Sequence, residues 1–196
     1  MANMSHSDIA EQKEGLRAEI RAQRRARGVT GALEEAPRFT EQLIALTAEL
    51  GARTVSAYLS TPDEPDTRGF LTWARNNDVR VLLPISRVDG LMDWAEFDES
   101  EVEGPYGVPE PAGEVLPPNA IDDVDLIILP ASAAGTDGMR MGWGRGYFDK
   151  LLGSMENLPP TYAVVYDTEL LETVPSEPHD YSVHGVVTPS GIHRIE

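Results

Sequence analysis

Cysteine is absent from the 196-residue sequence. That excludes disulfides, thiolate metal sites and a cysteine nucleophile. No apolar run approaches the ~18 residues that a bilayer-spanning helix needs. The stretch from Met1 to Lys13 is polar and lacks the apolar core of a signal peptide, so the expected location is cytoplasmic. The triplet Asn3-Met4-Ser5 matches a glycosylation sequon, which has no meaning in a cytosolic chain. Positive charge is scarce: 16 Lys and Arg stand against 33 Asp and Glu, a net charge of −17. Such a balance repels phosphate backbones and anionic lipid, so neither nucleic acid nor membrane is an expected partner. It also makes any local concentration of positive charge informative. The length suits a single domain over residues 1–196 with a helical arm, and 41% hydrophobic residues suffice for a core.

The first expected element is a basic helix over residues 8–27. Asp8 followed by Glu11 reads as an N-cap with a carboxylate in the first turn, and Gly28 ends the helix. It carries Lys13, Arg17, Arg21, Arg24, Arg25 and Arg27, ordinarily a solvated face. A second helix is expected over residues 34–50, stopped by Gly51. Residues 54–59, 79–83, 124–129, 162–166 and 183–188 read as strands, with Pro84 and Pro130 closing the second and third. Thr67 can cap a helix over residues 69–76, and another is expected over residues 148–152. Residues 91–97 are a strand or an irregular stretch. Residues 101–119, proline-rich and without Lys or Arg, read as an exposed excursion. Alternating strands and helices imply an α/β fold with a central, mostly parallel sheet flanked by helices. Ligands in such sheets sit beyond the carboxyl ends of strands, where the loop after Leu129 lies.

That loop, residues 138–150, reads Gly-Met-Arg-Met-Gly-Trp-Gly-Arg-Gly-Tyr-Phe-Asp-Lys. Glycine permits positive φ and close approach of a ligand, and successive exposed N–H groups form an anion-binding concavity. Arg140, Arg145 and Lys150 are the only Lys or Arg between Arg87 and Arg194. An acidic chain has placed its distal positive charge on its most glycine-rich loop, and arginine's planar fork suits phosphate. The bland alternatives are a glycine turn and surface ion pairs for the two arginines. Trp143, between two glycines, is placed to stack on a flat heterocycle, whereas Phe148 reads as core filling. Asp149 is equally suited to holding Mg²⁺ beside phosphate and to plain helix capping. The loop is neither a Walker A motif nor a Rossmann fingerprint, and no zinc-protease or serine-hydrolase motif occurs elsewhere.

The loop resembles that of the 5-formyltetrahydrofolate cyclo-ligase family, Gly-x-Arg-Leu-Gly-x-Gly-x-Gly-Tyr-Tyr-Asp after a strand ending in Pro. Here that strand is Asp125-Leu126-Ile127-Ile128-Leu129-Pro130. Lys13 and Arg17 match the family's N-terminal Lys-x-x-x-Arg. Ser60 to Glu64 with Thr67, Tyr106 to Pro111, and Val174 to Asp180 with Val186 to Pro189 match further segments in family order. Met141 and Phe148 depart conservatively from the pattern. Ala134 stands where an aromatic is common and bears on the lining of the pterin pocket, and Glu169 stands where Gln is frequent.

The resemblance implies an enzyme that uses ATP and Mg²⁺ to close 5-formyltetrahydrofolate to 5,10-methenyltetrahydrofolate, with a reduced folate and ATP as its small-molecule partners. It implies ATP contacts at Lys13, Arg17, Arg140, Met141, Gly142, Trp143, Gly144, Arg145, Gly146, Tyr147 and Phe148. Folate contacts are implied at Arg17, Leu59, Glu64, Trp143, Gly144, Arg145, Gly146 and Tyr147. Asp149 and Asp180 are the implied Mg²⁺ ligands, and Arg140, Arg145 and Tyr147 the expected catalytic residues. A monomer or weak homodimer is expected. The rival readings are a paralogous ATP-dependent ligase on another substrate and a non-catalytic nucleotide-binding regulator.

Overall fold

The computed structural model describes residues 6–195, so the Asn3-Met4-Ser5 triplet lies outside the described residues. In chain order the helices and strands are α1 (His6–Leu50), β1 (Thr54–Ser56), α2 (Arg68–Asn76), β2 (Arg80–Ser86), β3 (Met92–Glu96), β4 (Glu101–Glu103), β5 (Pro109–Pro111), β6 (Leu126–Pro130), β7 (Ala133–Gly135), β8 (Arg140–Met141), α3 (Tyr147–Ser154), β9 (Thr161–Val164), β10 (Leu170–Leu171), β11 (Gly185–Thr188) and β12 (Gly191–Arg194).

Seven of these strands form one sheet in the order β12-β11-β9-β6-β1-β2-β3. Strands β2, β1, β6, β9 and β11 run parallel, and the edge strands β3 and β12 are antiparallel. Numbered by appearance, the parallel strands lie 2-1-3-4-5, a doubly wound order. The order reverses between β1 and β6. The crevice beyond their carboxyl ends is the place a ligand is expected.

Successive side chains of a strand point to opposite faces, so a strand covered on both faces reads as a continuous apolar run. In β6, Leu126 and Ile128 join a cluster containing Phe39, Leu43 and Leu46 of α1 and Phe70, Leu71 and Ala74 of α2. Ile127 and Leu129 join the cluster on the other face, with Leu151 and Leu152 of α3. Each such fully buried side chain contributes about 1.5–3 kcal/mol.

Several boundaries differ from the sequence expectation. The expected helices 8–27 and 34–50 are one run, α1, kinked at Gly28, whose φ 63° and ψ 178° are not helical. Helix resumes directly after the kink and passes through Pro37, which forgoes one backbone donor. Pro84 does not end β2, because it pairs with Trp94 of β3 beyond the point where β1 stops pairing at Leu82. Its missing N–H therefore breaks no central ladder. Thr67 precedes α2 but makes no side-chain cap; its hydroxyl donates to the Tyr58 carbonyl at 2.6 Å. The stretch 101–119 contains a small hairpin, β4 with β5. Among the described residues no helix is long and apolar enough to cross a membrane.

Candidate active site

After β6 the chain makes a small sheet in which β7 pairs antiparallel with β8 and parallel with β10. This sheet carries Arg140 into the interior, where the residue is 3% exposed. Its Nη2 donates to Asp149 Oδ1 at 2.9 Å. Asp149 stands in the first turn of α3, whose N-cap is Gly146 in the left-handed region. Between them Gly144 has φ 90°, a conformation side chains rarely adopt, and the Arg17 guanidinium lies in van der Waals range of it. Arg17 Nε also donates to the Gly142 carbonyl at 2.8 Å, so α1 holds the loop from outside.

Two cavities flank this loop. The larger, about 460 Å³, is lined mainly by apolar atoms and includes Leu59, Glu64, Trp143, Arg145, Tyr147 and Phe148. Tyr58 and Leu59 from the end of β1 and Pro130 of β6 place it at the reversal of strand order. The smaller, about 250 Å³, is polar and includes Lys13, Arg17, Met141, Gly144 and Asp180. Arg140, Gly142, Gly146 and Asp149 belong to both walls.

The charges in these walls are committed. Lys13 Nζ donates to Glu177 Oε2 at 2.7 Å and to Asp180 Oδ2 at 2.6 Å. Burial opposes the Lys13 charge, but the bonds from Asp180 and Glu177 outweigh it and hold the ammonium above its ordinary range. Burial likewise raises the Asp180 carboxyl, and the Lys13 ammonium and Glu177 backbone N–H more than reverse that, leaving it low. Glu64 accepts from Thr61 N at 2.9 Å and Thr61 Oγ1 at 3.0 Å. Burial nevertheless pushes its carboxyl above the usual carboxylate range, with the Thr61 bonds and the Arg24 charge only partly opposing. The Tyr147 hydroxyl donates to the Arg87 carbonyl at 3.0 Å, which fixes its ring in the wall of the larger cavity.

A model of the 5-formyltetrahydrofolate cyclo-ligase family matches residues 9–189. The chain belongs to the 5-formyltetrahydrofolate cyclo-ligase family. A 5-formyltetrahydrofolate cyclo-ligase of Mycolicibacterium smegmatis is 34% identical over 72% of this chain and 76% of its own length. One from Mus musculus is 26% identical over 89% of this chain and 92% of its own. The solved structure of the 5,10-methenyltetrahydrofolate synthetase of Aquifex aeolicus superposes with a TM-score of 0.76, at 24% identity over 94% of this chain and 93% of that one. At that identity the likeness is one of fold. The chain is thus an enzyme of this family.

Every site residue expected from the resemblance lines one or both cavities. Their distribution is finer than expected. Arg17 lines only the polar cavity, Gly144 likewise, and Trp143, Arg145, Tyr147 and Phe148 only the apolar one. Asp149 and Asp180, 31 positions apart, share the polar cavity. Neither the surface-pair alternative for Arg140 nor the solvated-face reading of Arg24 holds, since both are 3% exposed. Arg24 falls on the face shared by Lys13, Arg17 and Ile20, at spacings of four, seven and eleven residues, and that periodicity was the available signal. Ala134 is fully buried in the core and lines neither cavity. Lys150, part of the positive window in sequence, reaches toward Gly90 and lines neither cavity. Sequence reasoning missed Glu177 and His179 as site residues. With Asp180 they place possible ligand atoms within 4.8 Å of one another.

Proposed function

We propose that this enzyme converts 5-formyltetrahydrofolate and ATP to 5,10-methenyltetrahydrofolate, ADP and phosphate with Mg²⁺. The observation that carries the reading is the shared wall: an apolar cavity and a polar cavity meet at Arg140, Gly142, Gly146 and Asp149. A reaction that joins a flat, largely apolar ring system to a phosphoryl donor needs such a pair of compartments. The larger takes the folate, with Leu59 against the ring and Glu64 at the amino-pyrimidinone edge. The smaller takes the triphosphate, with Lys13, Arg17 and the backbone amides of residues 140–148 as donors.

A formamide oxygen leaves poorly, and the neighbouring aryl amine is a weak nucleophile. Attack of the formyl oxygen on the γ-phosphorus releases ADP and gives an imidoyl phosphate. The amine nitrogen then bonds to that carbon, loses its proton, and the C–O bond breaks to release phosphate. The protein supplies position and charge neutralisation, with no covalent nucleophile of its own. Arg140 and Arg145 face the transferring group, and Tyr147 bounds the folate beside it.

Asp149 and Asp180 would hold the metal, with Glu177 and His179 at hand. The donor set fits a hard dication: the Glu177 and Asp180 carboxylates already converge on one positive charge, the Lys13 ammonium. When bound, Mg²⁺ neutralises phosphate charge.

The test follows methenyl product by absorbance and ADP in parallel, from 5-formyltetrahydrofolate, ATP and Mg²⁺. Equal amounts of the two products are expected. ADP without methenyl product would overturn the reading in favour of a ligase with another substrate. Tight ATP binding without turnover of any folate would favour a regulator.

A further inference from the structure

Arg24 carries a buried donor that no described residue accepts from. Its Nε donates to Glu169 Oε1 at 2.7 Å, and its Nη2 to Glu169 Oε2 at 2.8 Å and the Ala131 carbonyl at 2.9 Å. Nη1 is closed off from solvent and has no hydrogen-bond partner among the described residues. Buried donors on charged groups are ordinarily satisfied, and an orphan calls for an explanation. The guanidinium lies in the wall of the larger cavity. The Trp143 ring sits over it at 5.0 Å, and the Tyr166 ring contacts it at 5.6 Å. Glu64 lines the same cavity, and the two charges stabilise each other.

The amino-pyrimidinone edge of a reduced folate presents, in order, an amine N–H, a ring N–H and a carbonyl oxygen. A carboxylate complements the first two. Only a donor beside it complements the third. We propose that Arg24, oriented by the two bonds of Glu169, donates from Nη1 to the 4-oxo group of the pterin, while Trp143 covers the guanidinium until the substrate arrives. The inference deepens the folate reading of the larger cavity and rests on it. Trp143 stands between two glycines, so the backbone on either side of it carries no side chain that would oppose its displacement. The Arg24 fork cannot turn to make other bonds without breaking those to Glu169. It therefore selects for a carbonyl at one fixed place, and a 4-amino group there would confront donor with donor.

The experiment uses the full chain and two variants. Arg24→Lys keeps a charge for Glu169 and removes the free nitrogen. The double variant Arg24→Met with Glu169→Gln removes the ion pair without orphaning a carboxylate. Dissociation constants are measured by calorimetry for ATP, for 5-formyltetrahydrofolate and for its analogue with an amino group in place of the 4-oxo group. The unmodified enzyme is expected to prefer the 4-oxo compound, and both variants to lose about tenfold or more in affinity for it. Their preference between the two folates should shrink by about the same factor, leaving only the part that Glu64 exerts on the ring N–H, while ATP affinity stays within about twofold. Either folded variant that keeps both the affinity and the preference overturns the inference and leaves the cyclo-ligase reading standing. A wild-type protein that binds ATP but neither folate overturns both.

Discussion

A carboxyl can accept an N–H at each of its two oxygens only when ionised, and Glu64 sits where ionisation is resisted. Burial is the first cause of its raised carboxyl, ahead of the opposing bonds from Thr61. Two opposite pH effects follow over the window between the ordinary value of 4.5 and the raised one. Folate affinity should rise with pH through that window as the side chain loses its proton. The same group's contribution to folding stability is present below the window and lost as pH rises through it, because the folded form holds the proton more tightly. Glu64→Gln should abolish both slopes. On the proposed reading it should also weaken folate binding by about 2–5 kcal/mol while leaving ATP affinity nearly unchanged. Titrating each ligand at several pH values decides the matter, and equal losses for ATP and folate would remove Glu64 from the folate site.

Within the loop from β8 to α3, adjacent glycines serve different ends. Gly144 has φ 90° and the Arg17 guanidinium against it, so a side chain there is strained in the free protein. Gly142 has open space around it and is not in the positive-φ region. Gly144→Ala should therefore cost about 1–2 kcal/mol of stability. Gly142→Ala should leave melting unchanged and weaken ATP instead, since its freedom matters only when a phosphate comes close. Thermal melts beside ATP titrations separate the two, and a Gly142→Ala protein with normal ATP affinity would take that backbone out of the phosphate site. The glycine pattern was legible in sequence, and so were the longer strands, because β6 and β9 are covered on both faces and read as apolar runs. The strands β7, β8 and β10 were not. At two or three residues each, they owe their existence to tertiary pairing rather than to local propensity. Arg24 was misread for a related reason. A charge run on a helix is a sound sign of a solvated face until another element supplies a carboxylate, and Glu169 lies 145 positions away. Of the matched segment Val174 to Asp180 the sequence singles out Asp180 alone, because only the fold of an irregular loop turns Glu177 and His179 toward it.

In a molecule of net charge −17, the ammonium of Lys13 sits between Glu177 and Asp180, two carboxylates that would otherwise repel each other. All three side chains are about nine-tenths buried. Lys13→Met should cost about 3 kcal/mol or more, because it leaves carboxylates without their counter-charge. Millimolar Mg²⁺ should restore more of the melting temperature in this variant than it adds to the wild type, since the dication can take the vacated position. A variant that melts like wild type, or gains nothing extra from Mg²⁺, would show that the cluster does not bind cations. The Asp180 carboxyl, which burial raises and Lys13 more than brings back down, adds stability that is present above about pH 4 and lost as pH falls further, so this contact should outlast those of ordinary carboxylates in acid.

That same contact joins residue 13 to residue 180 across nearly the whole chain. During synthesis at roughly 5–20 residues per second, the N-terminal half of α1 leaves the ribosome many seconds before the loop it must grip has been made. Until then its basic face, with Lys13, Arg17 and Arg24, has none of its partners: Gly142, Glu169, Glu177 and Asp180 are all still to come. The nascent arm is a free cationic segment heading an otherwise acidic polypeptide. It docks only after the last fifth of the chain has emerged, so the polar cavity is among the final features of the molecule to take shape.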